Sequence, residues 1–167
     1  MLKIGMIIPY YGKFPSYFDL VLKSMSNQQN FYFIFFTDRK IEDVYKLPPN
    51  VIYYYLSFDE LVKFVKSKFR DLKIQLRYPY KLCDFKPAYG YIFNEFLKEY
   101  DWWGYCDIDV IFGDLNKFIT VEILNEYTKV LCRGHLTIYR NIEEVNNYFR
   151  LYHPSMSYKD VFSDKKQ

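Results

Sequence analysis

The strongest constraint on the fold is a set of four short apolar runs: Ile4-Gly5-Met6-Ile7-Ile8, Phe31-Tyr32-Phe33-Ile34-Phe35-Phe36, Val51-Ile52-Tyr53-Tyr54-Tyr55 and Trp102-Trp103-Gly104-Tyr105-Cys106. A strand with one wet face alternates apolar and polar residues. A strand without that alternation is covered on both faces. The first run ends at Pro9-Tyr10-Tyr11-Gly12 and the second at Thr37-Asp38-Arg39, while Pro48-Pro49-Asn50 precedes the third. Between the runs the period changes to that of a helix. Phe14, Phe18, Leu22 and Met25 predict an amphipathic helix over residues 15–27. Ser57-Phe58-Asp59-Glu60 is a capping box opening a helix that carries Leu61, Phe64, Val65 and Phe69. Pro87 fits the first turn of a further helix holding Tyr91, Phe93, Phe96 and Leu97. Residues 129–132 and 136–139 read as strands split by Arg133-Gly134-His135. Asn141 caps a helix to about residue 152, and the tail from Ser157 is polar and poorly patterned. Covered strands alternating with helices predict a single α/β domain with a largely parallel sheet and helices on both faces.

At 167 residues the chain has the length of one domain with a real core. Aromatic residues make up 22%, too many for each to be a stacking platform, and part of that share follows the Lys, Ile, Asn, Tyr and Phe bias of AT-rich coding. The net charge of +3 permits phosphate-bearing ligands or peripheral contact with an anionic membrane face, and it does not call for nucleic acid. Cys83, Cys106 and Cys132 are widely spaced and form no C-x-x-C pair. They predict buried free thiols in a reducing, cytoplasmic setting. The apolar run at the N-terminus is too short for a signal peptide or a transmembrane helix.

Ligands of parallel sheets bind outside the carboxyl ends of the strands. This rule predicts that Pro9, Tyr10, Tyr11, Asp38, Asp107 and Asp109 share one rim although they lie far apart in the chain. Asp107 and Asp109 are two residues apart, so on an extended backbone both carboxylates point the same way. Converging carboxylates repel unless a cation sits between them, which points to an oxygen-ligated Mn²⁺ or Mg²⁺ that also holds a phosphate. No G-x-G-x-x-G or G-x-x-x-x-G-K-[ST] loop is present, so a metal is left to neutralise a diphosphate.

Other positions admit two readings each. Asp38 either accepts hydrogen bonds from a base or ribose, or caps a turn. Asp84 either reaches a ribose hydroxyl or is a helix N-cap, and Lys86 either meets a diphosphate or is solvated. Gly134-His135 either faces a donor sugar or forms a strand bulge.

The strings Lys81-Leu82-Cys83-Asp84-Phe85-Lys86-Pro87-Ala88-Tyr89-Gly90 and Trp102-Trp103-Gly104-Tyr105-Cys106-Asp107-Ile108-Asp109-Val110-Ile111-Phe112-Gly113-Asp114-Leu115 resemble a family of bacterial glycosyltransferases from polysaccharide-synthesis gene clusters. Ile7-Ile8-Pro9-Tyr10-Tyr11-Gly12 and Gly134-His135-Leu136-Thr137-Ile138-Tyr139-Arg140-Asn141 extend the resemblance over nearly the whole chain. The family is similar to the GT-A group of nucleotide-sugar transferases. The resemblance implies that Asp107 and Asp109 bind Mn²⁺ or Mg²⁺ and the donor diphosphate. It places the nucleoside at Pro9, Tyr10, Tyr11 and Asp38, ribose and phosphate at Asp84 and Lys86, and the donor sugar at Gly134 and His135. The expected partners are a nucleotide-sugar donor, a UDP-sugar above others, and a saccharide or lipid-linked acceptor.

Enzymes of this kind usually carry more chain after the D-x-D motif, where an inverting base would stand. The expectation is therefore a C-terminally short form, with no residue named as catalytic base. Two alternatives are a nucleotide-sugar-binding module without transfer activity and a haloacid-dehalogenase-like phosphatase with Asp107 as nucleophile. The second needs a lysine and a further acidic pair that the short remaining chain does not supply.

Overall fold

The computed structural model describes residues 2–132 and 134–163. Arg133, named in the loop between the last two predicted strands, and the end of the polar tail, 164–167, lie outside the described residues.

The four apolar runs are strands: β1 (Ile4–Pro9), β2 (Phe31–Thr37), β3 (Val51–Tyr55) and β4 (Trp102–Cys106). With β5 (Lys129–Val130) and β6 (Leu136–Arg140) they form, among the described residues, one six-stranded sheet of order β3-β2-β1-β4-β6-β5. β1 pairs parallel with β2 and β4, and β2 pairs parallel with β3. β6 runs antiparallel to both β4 and β5. The molecule is α/β as expected, but its sheet is mixed where a largely parallel one was predicted. The reason is the short return after residue 114. Its helix α4 (Val121–Glu126) is only six residues long, and only residues 131–135 separate β5 from β6, too few for a crossover, so β6 comes back antiparallel.

Side-chain parity divides the core into two layers. Ile4, Met6 and Ile8 of β1 and Phe31, Phe33 and Phe35 of β2 face one side with Trp102 and Ile138. Helix α1 (Phe18–Ser26) covers that layer through Phe18, Val21, Leu22 and Met25. Ile7, Ile34, Phe36, Trp103 and Tyr139 face the other side. Helix α2 (Phe58–Lys68) covers them through Leu61 and Val65, and its capping box is present, with Ser57 accepting from the Glu60 amide. The aromatic residues are mostly core material, set in tilted, edge-on and stacked contacts such as Trp103–Tyr139, whose centroids lie 4.4 Å apart.

Two predicted helices come out differently. Pro87 does not open a helix; it lies inside a 3-10 helix, Pro79–Ala88, which runs into one α-turn, α3 (Tyr89–Ile92). Phe93, Phe96 and Leu97 follow that turn, with Phe96 closing a further 3-10 helix, Asn94–Phe96. Asn141 is not a cap either. Helix α5 (Glu143–Asn146) starts after Ile142 without a side-chain cap, and the predicted helix to residue 152 ends early in a 3-10 turn, Tyr148–Arg150. The Asn141 amide instead donates to the carbonyls of Leu97 and Tyr100, both at 2.8 Å, and accepts from Asn146, which in turn accepts from the Trp103 indole at 2.6 Å. A buried indole N–H needs a partner, and this relay supplies it. The last helix, α6 (Tyr158–Ser163), arises in the segment that read as unpatterned, and its Phe162 stacks on Phe85.

Only glycine fits against the Trp103 ring at position 90, because a Cβ there would run into the indole and into Asn146. Gly90→Ala is therefore expected to destabilise the protein by about 1–3 kcal/mol. Gly113→Ala, which meets nothing within 4 Å, should stay within about 0.5 kcal/mol of the parent. Urea unfolding of both variants checks the pair.

Cys83, Cys106 and Cys132 are all free, as expected, but only Cys106 is buried. Burial also pushes the Cys106 thiol well above its ordinary value. In native protein a disulfide reagent should modify Cys83 and Cys132, and Cys106 only after unfolding.

Candidate functional site

The connection from β1 goes outward to β2 and β3 on one side, then crosses to β4 on the other. The crevice outside the carboxyl ends of β1 and β4 is thus a topological switch point, where open α/β sheets take their ligands. A cavity of about 730 Å³ opens there. That volume suits a ligand the size of a nucleotide sugar. Pro9 ends β1 in its wall and Tyr10 and Tyr11 follow, and Asp107 and Asp109 follow β4.

The aspartates reach the cavity by a different route from the one their spacing suggests. β4 ends at Cys106, and Ile108 and Asp109 lie in a turn, so strand alternation does not aim the two carboxylates. The following segment is held down instead by polar groups of α1 and the residues after it. Ser24 Oγ accepts from the Phe112 amide at 3.1 Å. The buried Gln28 amide donates to the Gly113 carbonyl at 2.7 Å and accepts from Leu115 N–H at 3.0 Å. Ile108 and Phe112 are buried beside α1, which fixes the turn that carries Asp109.

Asp107 is the centre of a charge cluster. Lys86 Nζ donates to its Oδ1 at 2.7 Å, and His135 Nδ1 lies 2.9 Å from its Oδ2. The Asp107 amide donates to the His135 carbonyl at 3.0 Å, so the loop before β6 grips this residue through both backbone and side chain. Lys86 also lies over the Tyr105 ring, 5.2 Å from its centroid. Burial alone would lower the Lys86 ammonium. The hydrogen bond and charge of Asp107 outweigh it and hold Lys86 above the ordinary lysine value. Burial and the charge of Asp109 raise the Tyr10 phenol, and burial with Asp38 and Glu60 raises Tyr11. Both phenols are neutral at neutral pH; the Tyr10 hydroxyl donates to the Lys13 carbonyl at 2.8 Å, and the buried Tyr11 hydroxyl has no partner among the described residues.

Of the residues singled out from the sequence, Pro9, Tyr10, Tyr11, Lys86, Asp107, Asp109 and Gly134 come together on the cavity. Gly134 has a φ of +28°, a backbone conformation that favours glycine. His135 stands at the edge with an exposed ring that holds Asp107. Asp38 and Asp84 are off the wall. Asp38 is half exposed beside Arg39, at 3.6 Å. Asp84 is not an N-cap but pairs with Lys81 at 2.6 Å inside the 3-10 helix. Sequence reasoning missed Tyr105, Lys13, Tyr17 and Tyr80 on the same cavity. Tyr105 was recoverable, because it shares strand parity with Trp103 and stands two residues before Asp107. The other three approach from separate turns, and no periodicity marks them.

Among the described residues no cluster of three or more His, Cys, Asp and Glu side chains is arranged to hold a metal ion. The donors at hand for a cation are the carboxylates of Asp107 and Asp109. They suit a hard divalent ion that completes its shell with phosphate oxygens and water, as Mg²⁺ does. Asp109 makes no hydrogen bond or ion pair among the described residues. Asp107 can offer an oxygen once Lys86 or His135 yields one.

The Lys86–Asp107 pair leaves a pH signature. The folded-state value of Lys86 is raised, so its pairing stabilises fully below the unfolded lysine value of 10.5 and is lost as pH climbs through the folded one. Lys86→Met should cost on the order of 1 kcal/mol at neutral pH. That gap to the parent should close above pH 10.5, measured by denaturant unfolding at a series of pH values.

No helix among the described residues is long and apolar enough to cross a membrane. No curated protein matches the chain. Residues 6–167 match a family model described as a family of unknown function, DUF6625, and the chain belongs to that family.

Proposed function

We propose that the protein is a metal-dependent glycosyltransferase of GT-A type, taking a sugar from a nucleotide-sugar donor, a UDP-sugar above others, to a saccharide or lipid-linked acceptor in surface-polysaccharide synthesis. The observation that carries this reading is the meeting of Lys86, Asp107 and Asp109 with the Pro9-Tyr10-Tyr11 loop in one cavity at the β1/β4 switch point. A cavity lined by acidic, basic and aromatic groups suits a ligand with a charged diphosphate and a flat base.

Asp107 and Asp109 would hold Mn²⁺ or Mg²⁺ against the donor diphosphate. When bound, the ion supplies Lewis-acid charge to the departing nucleoside diphosphate. The chain's own groups do the rest. Lys86 is a point charge on a flexible stem, and it can exchange the Asp107 oxygen for a phosphate oxygen without leaving the cavity. Its release to an anion would free one Asp107 oxygen, which with Asp109 would then be available to hold the cation. His135 keeps Asp107 oriented through that exchange from the other oxygen. The neutral Tyr10 and Tyr11 offer apolar ring faces to the base. The buried cavity floor of Ile7, Ile8 and Tyr89 keeps bulk water from the reacting carbon.

The expected result is a rise in melting temperature of about 5 °C or more with UDP-hexose and Mn²⁺ together, at roughly 100-fold excess over Kd. UDP-hexose or Mn²⁺ alone should give a much smaller shift. Asp109→Asn should abolish the joint effect and leave the ligand-free melting temperature unchanged. An equal shift without metal, or an undiminished one in Asp109→Asn, rejects the site. Release of UDP from the donor in the presence of Mn²⁺ and an acceptor panel tests transfer itself.

A further inference from the structure

The cavity has a second chemical character at its mouth. Its floor is closed by buried residues, Ile7, Ile8, Tyr89 and Cys106. Its rim carries Tyr17 and Tyr80, which are 42% and 72% exposed. Most tyrosines of this chain pack against other rings. Among the described residues, Tyr17 and Tyr80 make no ring contact and no side-chain hydrogen bond. Tyr17 precedes α1 and Tyr80 lies in the first turn of the 3-10 helix Pro79–Ala88, so helical segments hold both at the opening. An exposed phenol leaves its hydroxyl satisfied by water and its apolar ring faces uncovered, so a ligand with an apolar face gains by stacking on it.

We infer that Tyr17 and Tyr80 are the acceptor subsite, and that they bind a neutral saccharide by stacking on the C–H face of a pyranose ring. This inference rests on the glycosyltransferase reading. A pyranose presents an apolar C–H face and a hydroxyl edge, which matches the face and the O–H of a tyrosine. The position matches as well. An acceptor that is a growing chain or a lipid-linked sugar must extend out of the cavity while its terminal hydroxyl points in. Its subsite therefore belongs at the open mouth, with the charged groups of the donor site behind it. Lys13 lines the same cavity, between the Tyr10–Tyr11 turn and Tyr17 in the sequence. A nucleobase would be served by a closed slot with edge donors, which these exposed rings do not form.

The test uses an array of neutral oligosaccharides, with UMP as the nucleotide probe, on the parent, Tyr80→Ala, Tyr17→Ala and Tyr80→Trp. The parent should bind a subset of the saccharides. Each alanine variant should weaken that binding about tenfold, and Tyr80→Trp should retain it, because an aromatic face rather than a phenol is required. UMP binding should be unchanged in all of them. Both tyrosines are surface residues, and matching circular dichroism melts verify that the variants fold. If the parent binds no neutral saccharide, or if the alanine variants bind saccharide like the parent, the subsite is overturned. Loss of UMP binding in place of saccharide binding also overturns it and gives the rings to the base. The UDP-hexose and Mn²⁺ melting shift, read on the same samples, separates the two readings. A donor shift without saccharide binding fails the subsite alone. Saccharide binding lost in Tyr80→Ala without any donor shift fails the donor reading and leaves a saccharide-binding rim.

Discussion

Ile4, Met6 and Ile8 of β1 enter one aromatic layer and Ile7 enters the other, so this strand is stable only in the middle of a sheet covered on both sides. Its two neighbours must both be parallel strands arriving through crossovers. One crossover goes outward to β2, and a longer one returns past β3 to β4. The crevice between the ends of β1 and β4 follows from that route, because no connection fills it. The cavity is thus a consequence of covering β1 on both faces.

The Asp107 cluster depends on the same frame. Lys86 comes from the 3-10 helix before α3, Asp107 from the end of β4 and His135 from the loop before β6. A partly buried carboxylate needs compensation, and Lys86 supplies an opposite charge at one oxygen while the His135 ring hydrogen-bonds the other. The result is a site neutral enough to be stable without a ligand, yet made of groups that can turn to one. On the proposed reading, the Lys86–Asp107 pair would separate to take a phosphate and a cation together. Each then trades one opposite charge for another, and the desolvation cost is small.

Gly90 and Gly104 show how tightly the frame is drawn. A side chain at Gly104 would strike the Thr137 carbonyl, which is how β6 approaches β4 closely enough for its preceding loop to hold Asp107. At Gly90 the missing side chain leaves room for the Trp103 ring, whose indole anchors the relay of Asn146 and Asn141. The strand that delivers the aspartate is therefore located by packing on one face and by hydrogen bonds along its edge.

Much of this was legible in the residues alone. Unbroken apolar runs mark covered strands, since a half-wet strand must alternate, and β1 to β4 appear where those runs stand; β1, β2 and β4 are covered, while the edge strand β3 is exposed at Tyr54 and Tyr55. The Ser57-to-Glu60 capping box is local, so its helix was also readable. The meeting of Pro9, Tyr10, Tyr11, Asp107 and Asp109 followed from a rule about strand ends, although Asp38, which the same rule placed with them, pairs with Arg39 off the cavity wall. Other features depend on contacts between distant parts of the chain. The helix predicted from Pro87 is replaced by 3-10 turns packed under the sheet, and Asn141 gives up capping for the carbonyls of Leu97 and Tyr100. The direction of β6, the pairing of Lys86 with Asp107, and the arrival of Tyr17 and Tyr80 at one opening were likewise settled by tertiary structure. Periodicity and caps are written in neighbours a few residues apart. Which partner a polar group finds across 20 residues or 40 is set by competition among all the groups that folding brings within reach.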